Sequence, residues 1–153
     1  MPLACDCLLA DASVRLHRAV SVNASASIVF RWLCQLKLAP YSYDLIDNLG
    51  RRSPRELTPG VEQLEVEQRF MSIFSLASFL PDEHITLRSR RTAVTYAVLC
   101  NDRSTRLVAR VLFDPPEGRL SKAVAGYALA VGDLVMMRKQ LLTLKALAER
   151  QSA

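Results

Sequence analysis

The stretch Asp133-Leu134-Val135-Met136-Met137-Arg138-Lys139-Gln140-Leu141-Leu142-Thr143-Leu144-Lys145-Ala146-Leu147-Ala148-Glu149-Arg150 decides the fold. Leu134, Met137, Leu141, Leu144 and Ala148 recur at steps of three and four. At about 100° per residue they form one apolar stripe. The pattern reaches back to Leu120 and predicts one long C-terminal helix. Gly132 and Asp133 mark an entry or a kink in it, since Asp accepts from free amides at a helix start. Lys139, Lys145 and Arg150 lean toward the C-terminal end, where cations suit the helix dipole. Nearly everything upstream reads as short strands and two small helices. A sheet of such strands needs a partner to bury one face, and this helix is the one element long enough.

The 153 residues suffice for one domain with a sizeable core, here taken as 1–153. Residues 1–12 carry no periodicity and read as a loose tail. Half the chain is hydrophobic and 23% is charged, which fits a globular protein and not a disordered one. The net charge of +5 is scattered, with local clusters only at Arg51-Arg52 and at Arg88, Arg90 and Arg91. That pattern reads as a solvated face and argues against a nucleic-acid partner. The cysteines are Cys5, Cys7, Cys34 and Cys100, with no C-x-x-C pair and only His17 and His84 beside them. This is poor material for zinc, so neither metal nor cofactor is expected. No signal peptide is legible, which leaves a reducing cytoplasm and free thiols as the expectation. The most apolar run, Ala123 to Met137, is too short and too broken for an integral membrane segment.

In chain order, Val14, Leu16 and Val20 alternate with Arg15, His17 and Ser21, with Arg18 the intruder. This is a half-buried strand. Asn23, Ser25 and Ser27 offer caps for a helix from Ala26 to Lys37, which Pro40 stops. Leu45 and Leu49 lie one turn apart before Gly50 and predict a second short helix. Arg51 to Gly60, with Pro54 and Pro59, reads as a loop. Leu64, Val66, Gln68 and Phe70 then alternate with Gln63, Glu65, Glu67 and Arg69, the cleanest strand signal in the chain. Met71 to Phe79, Ile85 to Arg88, Val94 to Cys100 and Arg106 to Phe113 follow as strands separated by turn residues. Consecutive strands with short turns imply an antiparallel meander, and a meander covered by helices is an α+β domain.

Several blocks carry a resemblance. They are Val20-Ser21-Val22-Asn23-Ala24-Ser25 with Val29-Phe30-Arg31-Trp32-Leu33-Cys34-Gln35-Leu36, then Tyr41-Ser42-Tyr43-Asp44 through Asp47-Asn48-Leu49-Gly50-Arg51. Thr105-Arg106-Leu107-Val108-Ala109-Arg110 and Val135-Met136-Met137-Arg138-Lys139-Gln140-Leu141-Leu142 through Ala148-Glu149 complete the set. In this order the chain resembles the START-like, helix-grip superfamily, also called SRPBCC, of the birch-pollen allergen and the polyketide cyclases. The resemblance implies a curved antiparallel sheet of about six or seven strands wrapped around the C-terminal helix, with two short helices after the first strand. It also implies an apolar cavity between sheet and helix. An acidic residue often stands in such relatives where this chain has Met137, which removes the basis for a polar pair there. The fold hosts binders, cyclases and proteins of other roles, so it implies no single activity.

The side chains narrow the chemistry. No G-x-S-x-G elbow and no Gly-rich phosphate loop is present. His17 and His84 read as surface residues. Asp44 and Asp47, three apart, share a face and read as a solvated face or caps of neighbouring turns, with cation binding or an acid/base pair the alternative. Trp32, Tyr41, Tyr43, Phe70, Phe74, Phe79 and Tyr96 come from separate elements that this fold gathers around one interior. Aromatic walls with a few polar tips suit small-molecule pockets, and the same residues equally make a filled core. Gln68 shares a face with Leu64 and Val66, so it is a candidate inward polar group. Arg110 faces inward if Val108 and Leu112 do, and would then need an acidic partner or ligand. It faces outward if Leu107, Ala109, Val111 and Phe113 line the core, the fuller apolar face. Met136 and Met137 stand where the helix could line the mouth of the implied cavity, since methionine adapts to varied apolar shapes, with plain helix packing the leading reading. The candidate cavity set is therefore Trp32, Tyr41, Tyr43, Gln68, Phe70, Phe74, Tyr96, Arg110, Met136 and Met137, with no catalytic residue assigned. The leading function is binding of a small hydrophobic molecule, aromatic, polyketide-like or lipid-like. The alternative is an aromatase/cyclase-like enzyme acting on a polyketide or related carbonyl substrate. A homodimer is left open.

Overall fold

A computed structural model describes residues 2–43, 52–101, 104–114 and 119–152, without the side chains of 101 and 119–134. Six antiparallel strands form one sheet: β1 (Val14–Val22), β2 (Arg69–Phe70), β3 (Phe74–Leu80), β4 (His84–Arg88), β5 (Thr92–Asn101) and β6 (Ser104–Phe113). Their order across the sheet is β1-β6-β5-β4-β3-β2, so the first strand closes onto the last. In β6, Leu107, Ala109 and Val111 face the main core, the fuller of the two alternations read from sequence.

Two helices cover that inner face. Helix α2 (Ala26–Cys34) starts at Ser25, whose hydroxyl accepts from the Ile28 amide, and continues as a 3-10 turn to Lys37. The C-terminal helix α3 (Arg119–Ser152) runs without a break through Gly132 and Asp133 and packs on β1 and α2. Its stripe is carried by Leu141, Leu144, Leu147 and Ala148, all buried, with Met137 half-buried beside them. No helix among the described residues is long and apolar enough to cross a membrane.

Two expectations are corrected. The segment expected as a loose tail holds a helical turn, α1 (Cys5–Leu8), on the outer face of β4, β5 and β6. Cys5 is fully buried there against Ala12, Ala93 and Leu112. A turn this short carries no readable period, and only the sheet beneath it makes its burial possible. The strand expected from Leu64 to Phe70 is reduced to Arg69–Phe70. The Gln68 amide donates to the Glu65 carbonyl at 3.0 Å, a turn with Glu67 at φ 69°. The Glu67 amide then donates to the Leu76 carbonyl (2.8 Å), and the Leu76 amide to the Gln68 carbonyl (2.9 Å). Two residues thus oppose one, a β-bulge whose first residue is left-handed. Alternation of Glu and Gln with apolar residues gives a strand pattern, but Val66 is 56% exposed and rests on nothing.

The turns explain the other boundaries. Thr58-Pro59-Gly60-Val61 and Leu80-Pro81-Asp82-Glu83 each close with an amide of the fourth residue donating to the carbonyl of the first. Both place Pro second and a positive φ third, Gly60 at 73° and Asp82 at 62°, which is a type II turn. The short helix expected around Leu45 to Gly50 lies outside the described residues.

Candidate ligand site

The interior between the sheet and the two inner helices is the natural place for a site in this architecture. Its wall begins with Trp32 of α2 and Tyr41, both almost wholly buried, with rings edge to face at 6.1 Å and 81°. The Trp32 indole N–H donates to Gln151 Oε1 of α3 at 3.0 Å, which ties the two helices together. Tyr41 adopts φ 57° after Pro40, and its hydroxyl accepts from Gln35 Nε2 at 2.9 Å. The same Gln35 amide donates to the Glu56 carbonyl, and its Oε1 accepts from the Thr58 amide. One buried glutamine therefore pins the loop after residue 51 against α2 and satisfies backbone groups that would otherwise be stranded.

The far wall is Tyr96 of β5 with Phe70 and Phe74 of the β2–β3 hairpin. Phe70 is fully buried and Phe74 half-buried. The Tyr96 hydroxyl donates to Gln140 Oε1 of α3 at 2.7 Å. Gln140 Nε2 donates to the Pro40 carbonyl at 2.6 Å and lies 3.6 Å from Met71 Sδ. Gln140 is thus a polar hub connecting sheet, helix and the bend at residue 40. Gln68 stands nearby in sequence, two residues before Phe70, and its Oε1 is buried with no hydrogen-bond partner.

Of the candidates from sequence, Trp32, Tyr41, Phe70, Phe74, Tyr96 and Met137 belong to one connected core. Met136 is half-buried on α3, and Tyr43 is 38% exposed. Arg110 leaves the set. It lies opposite His17 on the outer face, pairs with Asp6 of α1, and donates through Nε to His17 Nδ1 at 3.2 Å. The inward arginine is Arg18, opposite Ala109 and between Leu16 and Val20 on the half-buried face of β1. Its place on the apolar side of the alternation was the legible signal. Gln140 was also missed, although it interrupts the apolar stripe between Met137 and Leu141.

The fully buried polar side chains are uncharged, and the half-buried Arg18 is the charged group on the same face of β1. Among the described residues, the buried polar side chains are Gln35, Ser53, Thr86, Thr95, Thr105 and Gln140. Cys34 is buried on α2, where desolvation pushes its thiol up to about 12, so it stays protonated and is a poor nucleophile. Both histidines lie on the outer face, since His17 pairs across from Arg110 and His84 from Ala97. Burial, reinforced by the Arg110 charge, lowers the His17 pKa below the ordinary histidine value. No group of three or more potential metal ligands occurs among the described residues. Among the described residues the fully buried side chains of this interior offer apolar contact and neutral hydrogen bonding; Asp44 and Asp47 lie outside the described residues.

The sequence matches no protein-family model and no curated protein. Solved structures match it along most of its length. The di-domain ARO/CYC StfQ from the steffimycin biosynthetic pathway superposes with a TM-score of 0.56 at 15% identity, over 93% of this chain. This chain spans only 52% of that protein. A protein of Mesorhizobium loti gives a TM-score of 0.56 at 14% identity, over 92% of this chain and 100% of its own. The polyketide_cyc-like protein of Corynebacterium glutamicum gives 0.53 at 11%, over 90% and 92%. These likenesses establish the fold: the chain has the helix-grip α+β architecture.

Proposed function

We propose that this protein binds a small hydrophobic molecule between the sheet and the C-terminal helix, with a polar end directed at Gln68 and the Tyr96–Gln140 pair. The observation that carries the reading is the side-chain oxygen Oε1 of Gln68. It is a buried acceptor with no protein donor, two residues before Phe70 of the aromatic core. An unpaired buried acceptor costs about 1–3 kcal/mol, and a ligand hydroxyl or amide would remove that cost. Half-buried Met71, Phe74 and Met137 form an adaptable side of the same core. Among the described residues no carboxylate or histidine is fully buried in this interior, which favours binding over catalysis, because a cyclase needs an acid or base directed at its substrate. Trp32 is the single tryptophan and reports on the site. Titration with a long-chain alcohol should change Trp32 emission and saturate in the micromolar range. Gln68→Leu should weaken the alcohol about tenfold, equivalent to about 1.4 kcal/mol, and leave an alkane of equal length unchanged. A well-folded protein that shows no saturable binding across a panel of apolar probes would establish a filled core instead.

A further inference from the structure

On the opposite side of the sheet the register builds a second feature. Arg69 of β2 lies across from Ser75 of β3, and Ser75 lies across from Arg88 of β4. Directly opposed residues share a face, and Phe70, Leu76 and Leu87 take the inner one. Arg69, Ser75 and Arg88 therefore form a row on the outside. With strands about 4.8 Å apart, two guanidinium groups flank a hydroxyl across roughly 10 Å, within the reach of arginine from both sides. Ser89 and Arg90, at the turn into β5, close the row into a groove of about 420 Å³.

The charges in this groove do not balance. Glu67, presented by the β-bulge, holds Arg88 at 2.6 Å. Arg69 and Arg90 have no carboxylate partner among the described residues, so the groove carries two guanidinium groups in excess. Like charges gathered around serine hydroxyls suit a multiply charged oxyanion, whose several acceptor oxygens take arginine forks from different directions. A carboxylate would need only one of them. We propose that this groove binds a phosphate group, independently of the ligand site proposed for the interior. The phosphate belongs either to a soluble ester or to a lipid headgroup. Ile73, 72% exposed at the hairpin tip beside the groove, gives the second source its motive.

The test uses the intact protein and two probes. Inorganic phosphate is titrated at constant ionic strength against a chloride control, reading the Ser75 and Ser89 amide resonances. Phosphatidylcholine vesicles with and without phosphatidic acid are then tested by flotation. Saturable shifts are expected, and the double variant Arg69→Ser with Arg90→Ser should weaken binding by at least about tenfold. Glu67→Gln frees Arg88 and should tighten binding about two- to fivefold, the scale of an exposed ion pair. All three positions are exposed, and a melting curve checks that each variant is folded. Phosphate saturation without preference for phosphatidic acid identifies a soluble ester. Flotation that needs phosphatidic acid and is lost in the double variant identifies a headgroup. Binding that the double variant leaves unchanged, or no binding to either probe, overturns the proposal.

Discussion

The two faces of one sheet are closed by different means. The inner face is covered by α2 and the C-terminal helix, and its contacts are made by large side chains: Trp32, Tyr41, Phe70, Tyr96, Leu141 and Leu144. The outer face carries a single helical turn, where a small apolar cluster of Cys5, Ala12, Ala93 and Leu112 is joined by polar contacts. The Cys5 amide donates to Thr95 Oγ1 at 3.0 Å, Thr95 meets Thr86 at 2.9 Å, and Asp6 pairs with Arg110 and Arg15. Stability is expected to follow apolar area on the inside and geometry and charge on the outside. An area-based closure tolerates pH and fails when it is cut. A polar closure is weak overall and responds to protons.

The largest expected effect breaks the inner closure outright. Truncation after Gly132 removes Met137, Leu141, Leu144, Leu147 and Ala148. Each large aliphatic side chain buried contributes on the order of 2 kcal/mol, against a net stability of about 5–15 kcal/mol for a domain. The truncated chain should show no cooperative melt; one near the full-length temperature would make the helix an appendage. Leu144→Ala is the graded version. It opens a cavity at a site only 1% exposed and should cost about 2–5 kcal/mol in urea unfolding. Gln140→Leu tests whether the polar hub matters inside an apolar layer. It preserves bulk but removes the acceptor that the Tyr96 hydroxyl meets and the donor to the Pro40 carbonyl, and should cost about 1–3 kcal/mol. A neutral or stabilising outcome would mean both groups find other partners.

The outer closure should yield the smallest loss and a marked pH dependence. Desolvation alone would raise the Asp6 carboxyl, but the Leu3 amide and the Arg110 and Arg15 guanidinium groups hold it below the ordinary carboxylate range. Its contribution is therefore full above the unfolded value of about 3.9 and is lost as pH falls through the lower folded value. His17 acts in the same direction. Its folded pKa is lowered, so its contribution is full above about 6.5 and declines on acidification. Asp6→Asn should cost about 1–2 kcal/mol at pH 7. The gap between variant and wild-type melting temperatures should close toward pH 3, while the shallower slope near pH 6 persists in both. A gap that stays constant with pH would remove the ion pair from the account of the outer face.

The same contrast explains what could be read in advance. The stripe of the C-terminal helix, the alternation of β1 and β6, and the cap at Ser25 are periodic or positional signals, and each appears where expected. The strand over Leu64 to Phe70 did not, because its alternation is produced equally by residues facing solvent; the left-handed Glu67 turns the chain before Arg69. Within the candidate site, the aromatics were legible as apolar residues on regular elements. Gln140 and Arg18 were visible only as interruptions of apolar faces. A single polar residue on such a face has a partner or is an error of register, and sequence alone does not distinguish these cases.

By itself the sequence determined the secondary elements that repeat and the face each one buries, because hydrophobic period follows directly from backbone geometry. That was enough to specify a sheet gripped around a long helix. Tertiary structure alone decided which polar groups meet: Tyr96 with Gln140 across 44 positions, Asp6 with Arg110 across 104, and Arg69, Ser75 and Arg88 in one row. Such pairings depend on strand order and register. These are global properties of the packed chain, and no local window of residues contains them.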